Sequence, residues 1–117
     1  MEVYVSKPFG EQVLAKAFAL IEDPDAWAQK TFRLKATVWV GGFRWEERVV
    51  ARCLDAAIDD AAELLGHNNR GANQARTLIY PLIAGPPHPT SIQQWNDARG
   101  RTHAEVLGLL KEAMATA

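Results

Sequence analysis

Apolar residues recur with helical spacing in two long segments of the chain. Between Glu11 and Glu22 they fall at i, i+3, i+4 and i+7, on one face of a helix. These residues are Leu14, Ala17, Phe18 and Ile21. The segment "RVVARCLDAAIDDAAELLG" has the same period, and Gly66 follows it as a C-terminal cap. Its apolar stripe contains Val50, Cys53 or Leu54, Ala57, Ala61 and Leu64. Each segment therefore predicts an amphipathic helix.

The segment between these helices alternates with period two. Phe32, Leu34, Ala36, Val38 and Val40 alternate with Arg33, Lys35, Thr37 and Trp39, as in a half-buried strand. Gly41-Gly42 predicts a two-residue hairpin turn, which would place Trp39 opposite Arg44 on one face and Val38 opposite Trp45 on the other, apolar face. The pattern thus predicts a β-hairpin near residues 31–48, with one apolar face and one charged face that carries Trp39. Because a lone two-stranded ribbon is marginal in water, it should lie on the helices or extend its sheet through another chain.

The last helix has a clear start signal in "GRTHAEVLGLL". Thr102 and Glu105 fit a capping box, so the helix is expected to begin at His103. Its apolar stripe would contain Val106, Leu107, Leu110, Ala113 and Met114.

The residues before this helix predict a tight turn. Asn96 and Asp97 are side chains that bond their own backbone in turns, and Trp95 can fill the space beneath. A structural turn does not explain Arg99 and Arg101. These two side chains are either solvated or placed to meet an anion or an acidic partner at the helix N-terminus, near His103.

Two further segments are less regular. Asp23-Pro24 predicts a short helical turn over "DPDAWAQ", with Trp27 in the core. After a polar loop "HNNRGAN", a third helix from Asn73 to about Tyr80-Pro81 is favoured, although "TLIYPLI" also fits an edge strand interrupted by its proline. "GPPHP" predicts an exposed connector. The predicted fold is an α+β, mostly helical single domain over residues 1–117, with three to five helices and one hairpin.

Composition and charge exclude several classes of protein. Of 117 residues 48% are hydrophobic, as in a folded globular protein, and 13 basic against 14 acidic side chains leave a net charge of -1. That balance argues against nonspecific nucleic-acid binding, because the chain has no overall positive field. No apolar run approaches the roughly 18 residues of a membrane span. With one cysteine and no signal-peptide pattern, we expect a soluble cytoplasmic protein without a disulfide.

Candidate catalytic groups are few. Cys53 and a histidine could form a nucleophile and base pair, but Cys53 is predicted on the apolar stripe of a helix, where thiols are usually buried and inert. The histidines, His67, His88 and His103, lack the close spacing of a local metal site. The acidic ladder Asp55, Asp59 and Glu63 is typical of a solvated helix face. We therefore expect no catalytic residues, no metal and no cofactor.

Several motifs together resemble a known family. "SIQQWNDARGRTHAEVLGLLKEAM" is similar to the C-terminal signature of the domain of unknown function 6197 family, small proteins of actinobacteria and their phages. Pro24, Trp27 and Gln29 match its "P-x-x-W-x-Q" element, and "RCLDAA" resembles its "C-L-x-A" helix. The resemblance departs at "FRLKATVWVGGFRWEE", where a more polar loop is expected. It implies one globular domain and carries no activity that could be transferred.

The leading functional hypothesis is a non-enzymatic protein that binds another protein through the hairpin. Trp39 is placed beside Arg33, Lys35 and Arg44 on the polar face, and aromatic residues with arginine are typical of interface hot spots. Alternatively, a helix covers this face or a one-residue slip exchanges the two faces. We also expect self-association, because the hairpin needs support. The phage connection implied by the resemblance suggests an accessory factor or an inhibitor of a host system.

Two other hypotheses remain at this stage. A small-ligand protein or enzyme could use a polar cluster of Trp27, Gln29, Asn96, Asp97 and His103, if these side chains converge on an open pocket. A weaker hypothesis is nucleic-acid contact through four cations on one hairpin face. Those cations are Arg33, Lys35, Arg44 and Arg48.

Overall fold

Five α-helices and one antiparallel hairpin form the part of the chain that the computed structural model describes, residues 9–83 and 91–117. In chain order they are α1 (Phe9–Ile21), β1 (Arg33–Val40), β2 (Arg44–Arg52), α2 (Leu54–Leu64), α3 (Asn68–Ile83), α4 (Ile92–Asn96) and α5 (His103–Ala115). A 3-10 turn, Pro24–Ala26, lies between α1 and β1. The predicted α+β class and the hairpin are confirmed.

The elements with local sequence signals lie close to their predicted positions. In α5 the Thr102 hydroxyl accepts from the Glu105 N–H at 3.1 Å, and the Glu105 carboxylate accepts from the Thr102 N–H at 2.8 Å. The capping box is therefore confirmed, and its hydrogen bonds lower the pKa of Glu105. The 3-10 turn begins after Asp23, whose carboxylate accepts from the Asp25 N–H at 2.9 Å. Along α1 the residues Leu14, Ala17 and Ile21 are fully buried.

The predicted start of α2 was wrong. β2 continues to Arg52, so Val50 belongs to the strand, and Cys53 is the N-cap of α2 instead of lying inside the helix. Strand pairing decides this boundary, because period-two and period-3.6 patterns overlap in "RVVAR". The predicted end was correct: Gly66 has a φ of 76°, and its N–H and that of His67 return to the Glu63 and Ala62 carbonyls. These two bonds form a Schellman cap.

The helical alternative for α3 is confirmed and the edge strand is excluded. α3 begins at Asn68, within the segment predicted as a loop, and runs to Ile83. Pro81 lies in its last turn, where the loss of one N–H interrupts little of the helix. The "GPPHP" connector with His88 lies outside the described residues.

The register of the hairpin differs from the prediction. Gly41 and Gly42 have positive φ values of 65° and 78°, as a glycine turn requires, but Phe43 also belongs to the loop, and its N–H donates to the Val40 carbonyl at 3.3 Å. The extra loop residue moves β2 by one position, so Trp39 lies opposite Trp45 and Val40 opposite Arg44. A shift of one residue exchanges the two faces of a strand. Every residue of β2 between the turn and the bulge therefore points to the face opposite to the predicted one.

The core lies between the helices, and the hairpin stands beside it. The largest fully buried side chains of the core include Leu14, Ile21, Leu54, Ile58 and Leu110. Buried alanines of α2 and α3, such as Ala57, Ala61 and Ala75, let these helices approach α1 closely, as the composition of α2 suggested. The hairpin contacts the rest mainly through β2, which reaches the 3-10 turn and α2. No helix within residues 9–83 and 91–117 is both long and apolar enough to cross a membrane.

Candidate functional site

Asp60 of α2 holds the base of the hairpin. It accepts hydrogen bonds from the Nε of Arg33 in β1 at 2.9 Å and from the Nε of Arg52 in β2 at 2.6 Å, and a second guanidinium nitrogen of Arg33 also contacts it. Burial alone would raise the pKa of Asp60, but hydrogen bonds and charge from the two arginines outweigh it, and the pKa lies below its ordinary value. The hairpin is thus attached to α2 by a partly buried charge network.

One face of the hairpin carries an exposed aromatic pair. The side chains that share it, here called the Trp face, are Arg33, Lys35, Thr37 and Trp39 of β1 with Trp45, Glu47, Val49 and Arg52 of β2. The rings of Trp39 and Trp45 meet edge to face, with centroids 5.1 Å apart and planes at 64°. Their side chains are 51% and 64% exposed, and Phe43 in the adjacent turn is 74% exposed. Trp39 is therefore exposed, and no described helix covers it.

A groove continues the Trp face down to α2. It has a volume of about 520 Å³ and is lined by Arg33, Lys35, Val49 and Arg52 of the hairpin and by Asp60, Glu63 and Leu64 of α2. Leu64 is 62% exposed there, although the helical stripe predicted it in the core. Five of these lining residues are charged, and Val49 and Leu64 are apolar.

The four predicted partner-binding residues do not all lie on one face of the hairpin. Trp39 and Lys35 lie on the Trp face, and Arg33 lies on it too, although its guanidinium is bound to Asp60. The predicted position of Arg44 was wrong: it lies on the opposite face, where it pairs with Glu46. Arg48 shares that face, so the four cations of the nucleic-acid hypothesis do not form one patch. The cause is the loop position of Phe43, which shifts β2 against β1.

The Asn96 side chain is the centre of a second cluster. It is fully buried and uses its complete hydrogen-bonding capacity. Its oxygen accepts from the Trp27 Nε1 at 2.7 Å and from the Leu54 N–H at 3.0 Å; its nitrogen donates to the Ala28 carbonyl at 3.0 Å and to Asp97 at 2.9 Å. Asn96 therefore joins α4, the segment after the 3-10 turn and the first turn of α2.

The other residues predicted around this turn also have partners in the protein. Gln29 donates to the Asn96 and Ala98 carbonyls, and Asp97 accepts from the Lys30 N–H at 2.9 Å. His103 contacts the Ile21 carbonyl at 2.7 Å through Nε2. The structure does bring Trp27, Gln29, Asn96 and Asp97 together, as the ligand hypothesis required. Their polar groups bond one another and the backbone, across 67 to 69 residues of sequence instead of within one turn.

The two arginines of this stretch differ. Arg101 stacks on the Trp95 ring, 3.9 Å from its centroid, and donates to the Trp95 carbonyl at 2.9 Å. The prediction that Arg101 is solvated was therefore wrong, because its guanidinium is held against Trp95. Arg99 is exposed.

Comparison of the chain with known proteins gives one match, to a protein family. A sequence model described as "Family of unknown function (DUF6197)" matches residues 10–116. The chain belongs to this family. No curated protein and no solved structure matches it. The resemblance inferred from "WND", "P-x-x-W-x-Q" and "C-L-x-A" is therefore confirmed, and in this family member the three motifs meet in the cluster around Asn96.

The remaining candidate groups have structural partners. Cys53 is fully buried, its Sγ accepts from the Ala56 N–H at 3.4 Å, and burial raises the pKa of its thiol. The ring of His67 stacks on Phe9, with centroids 4.2 Å apart. Asp55 and Asp59 of the acidic ladder bind Arg76 of α3 at 2.9 and 2.7 Å, so the ladder joins two helices. Among residues 9–83 and 91–117 no group of three His, Cys, Asp or Glu side chains could hold a metal ion.

Three residues of the Trp face and its groove escaped the sequence analysis. Trp45 was assigned to the apolar face and Leu64 to the core, and Val49 was assigned to a helix. The signal for Trp45 was present in "GGFRW", because a three-residue loop is also a common hairpin connection. No sequence pattern near Leu64 or Val49 predicts that the two side chains line a groove between α2 and the hairpin.

Proposed function

We propose that the protein is a non-enzymatic binding protein that recognises another protein through the Trp face. The observation that carries this proposal is the edge-to-face pair of Trp39 and Trp45, each more than half exposed. Tryptophan is among the residues most enriched in interface hot spots, because one rigid ring covers a large area at little entropic cost. Two adjacent indoles that no described element covers are therefore the strongest candidate anchor on the described surface.

The surroundings of the pair indicate the kind of partner. Glu47 follows Trp45 on the Trp face and pairs with Lys35, and these two side chains are 68% and 58% exposed, which gives the apolar centre a polar rim of both signs on the side toward the base. The groove of about 520 Å³ is lined by Val49 and Leu64 and otherwise by charged side chains, so it fits a protruding side chain with an apolar stem and a polar end. The partner we propose is a protein surface with an apolar patch for the two indoles, one such protruding side chain and a mixed polar rim.

The proposal extends to an accessory role. The resemblance to proteins of actinobacteria and their phages favours a phage or mobile-element factor that blocks a host protein by covering its surface. This step rests on family association alone. The small-ligand alternative has less support, because the polar groups of the Asn96 cluster already bond one another.

Partner capture with matched variants tests the proposal. The intact protein, Trp45→Ala, Trp39→Ala and the control Tyr80→Ala would be immobilised and exposed to lysate of the source cells. Tyr80 is 44% exposed on α3, so its truncation removes a comparable aromatic surface elsewhere. We expect one protein to be retained by the intact chain and by Tyr80→Ala, and lost from both tryptophan variants, with all four proteins folded by circular dichroism. Equal capture by all four proteins, or no capture by the intact chain, would remove the proposal.

A further inference from the structure

The two outer edges of the hairpin differ in how they are protected. At the base of β2, Arg52 pairs with Trp27, and its carbonyl accepts from the Ala28 N–H at 2.9 Å. The rest of β2 carries charges at four of its first five positions, which is how edge strands discourage pairing. They are Arg44, Glu46, Glu47 and Arg48.

β1 lacks such protection. Residues 36–40, "ATVWV", are uncharged, contain no proline and consist mostly of β-branched and aromatic side chains, which favour strand pairing. Within the described part of the chain the sheet has two strands, so no other strand lies against β1 on its outer side. The hairpin contacts the 3-10 turn and α2 at its base, but the side chains at its tip, Trp39, Phe43 and Trp45, are 51%, 74% and 64% exposed, so this half of the ribbon takes no support from a helix layer.

The geometry of the turn shows which groups β1 presents outward. The Val40 carbonyl accepts from Phe43 and therefore points toward the loop and β2. Alternate residues of an antiparallel strand direct their N–H and C=O groups to alternate edges. The main-chain groups of Lys35, Thr37 and Trp39 thus point away from β2 and are available for a further strand.

We infer that a second copy of this chain occupies that edge, with the two β1 strands antiparallel about Thr37. A two-fold axis perpendicular to the sheet can pass through an outward-facing residue, which then pairs with its own copy, or through an inward-facing residue that lies between two such pairs. An axis at Lys35 would place two ammonium groups opposite each other, and an axis at Trp39 would pair only the tip of the strand. Axes at Ala36, Thr37 and Val38 have neither fault, and the axis at Thr37 is the one that places Lys35 opposite Trp39.

In this register the side chains complement one another. Thr37 lies opposite its own copy, and Lys35 lies opposite Trp39 of the second copy, where an ammonium group can contact the indole ring. No like charges are opposed. The two hairpins become one four-stranded sheet. Pairing supplies hydrogen-bond partners to the outward main-chain groups of both β1 strands and joins the two Trp faces into one surface.

Oligomeric state and two charge variants test this inference. Light scattering and sedimentation equilibrium over a range of concentrations are expected to give a dimer for the intact chain. Thr37→Lys places two cations opposite each other at the axis, and should raise the dimer dissociation constant about tenfold or more. Gln93→Lys makes the same charge change on exposed α4 and should leave the constant unchanged. A monomer at every concentration, or a dimer whose dissociation constant is unchanged by Thr37→Lys, overturns the inference.

Amide hydrogen exchange of the unmodified chain gives a test that needs no variant. The N–H groups of Lys35, Thr37 and Trp39 should become protected as concentration rises, whereas those of Ala36 and Val38, which face β2, should be protected throughout. Protection of the outward groups that does not depend on concentration would contradict pairing between copies.

This inference and the proposed function can fail separately. Trp45 belongs to the Trp face but not to the β1 edge, so Trp45→Ala should abolish partner capture and leave the dimer intact. Thr37→Lys should weaken the dimer but also adds a charge to the Trp face, so Trp45→Ala is the variant that separates the two proposals.

Discussion

The indole nitrogen of Trp27 donates to the side-chain oxygen of Asn96 at 2.7 Å, across 69 residues of sequence. The same oxygen accepts from the N–H of Leu54 at the start of α2. A single amide oxygen therefore holds a tryptophan in place and satisfies one of the free N–H groups at a helix N-terminus. This relationship gives "WND" a role in folding.

Asn96→Leu should be strongly destabilising. A leucine keeps most of the volume of the side chain but leaves the indole N–H of Trp27, the backbone N–H of Leu54 and the Ala28 carbonyl without this partner. Each unsatisfied buried group costs about 1–3 kcal/mol. We expect a loss of about 3–5 kcal/mol in the free energy of unfolding, measured by urea denaturation. Gln93→Leu on the exposed side of α4 is the control, with an expected change within about 0.5 kcal/mol. Equal losses in both variants would show that Asn96 is not the centre of the cluster.

Asp60→Asn should loosen the hairpin more than the helices. The variant removes the carboxylate charge that binds the partly buried guanidinium groups of Arg33 and Arg52, which we expect to cost about 1–3 kcal/mol. Because Asp60 holds the ends of both strands, exchange of β1 and β2 amides should accelerate while amides of α1 and α5 change little. Uniform acceleration over the whole chain would mean that the hairpin does not open separately.

The same carboxylate predicts a pH dependence. The pKa of Asp60 is lower in the folded than in the unfolded chain, so the folded state binds fewer protons. Its contribution to stability is complete above the unfolded value of about 3.9 and is lost as the pH falls through the folded pKa. The difference in free energy of unfolding between the intact chain and Asp60→Asn should therefore shrink as the pH is lowered from 6 toward about 2. A difference that stays constant over this range would contradict the ion pairs.

Cys53 should be inert in the folded protein. Its thiol is fully buried and burial raises its pKa, so the reactive thiolate is scarce and inaccessible. Reaction with a chromogenic disulfide reagent should proceed at the rate of unfolding and become rapid in denaturant. The control is Ala15→Cys in a Cys53→Ala background, which carries one exposed thiol and should react at once. Rapid labelling of native Cys53 would instead indicate a reactive, open site.

The hairpin register predicts which residues are energetically coupled. A double-mutant cycle on Trp39 and Trp45, measured as free energies of unfolding, should give a favourable coupling of about 0.5–1 kcal/mol, the usual range for an aromatic pair. A cycle on Trp39 and Arg44 should give almost none, because these side chains lie on opposite faces. The reverse result would support the two-residue turn predicted from the glycines.

Several local elements could be read from the sequence because their causes are local. The Thr102 and Glu105 capping box, the Gly66 cap and the apolar face of α1 each depend on residues within about four positions of one another. The hairpin was found for the same reason, since alternation and Gly41-Gly42 are short-range signals. Whether Phe43 joins the loop is not decided at that range, and this one position moved Arg44 away from Trp39.

By itself, the sequence determined the fold class, the kinds of element and the family. Tertiary structure decided where β2 ends and α2 begins, which residues share the Trp face, and what Asn96 bonds. Each of these depends on partners far along the chain: Arg33 and Asp60 are 27 residues apart, and Gln29 and Asn96 are 67 apart. Periodicity indicates which side chains share a face of a helix or strand, but a hydrogen bond requires two atoms to meet. Only the packing of the helices, the hairpin and the 3-10 turn against one another brings those atoms together.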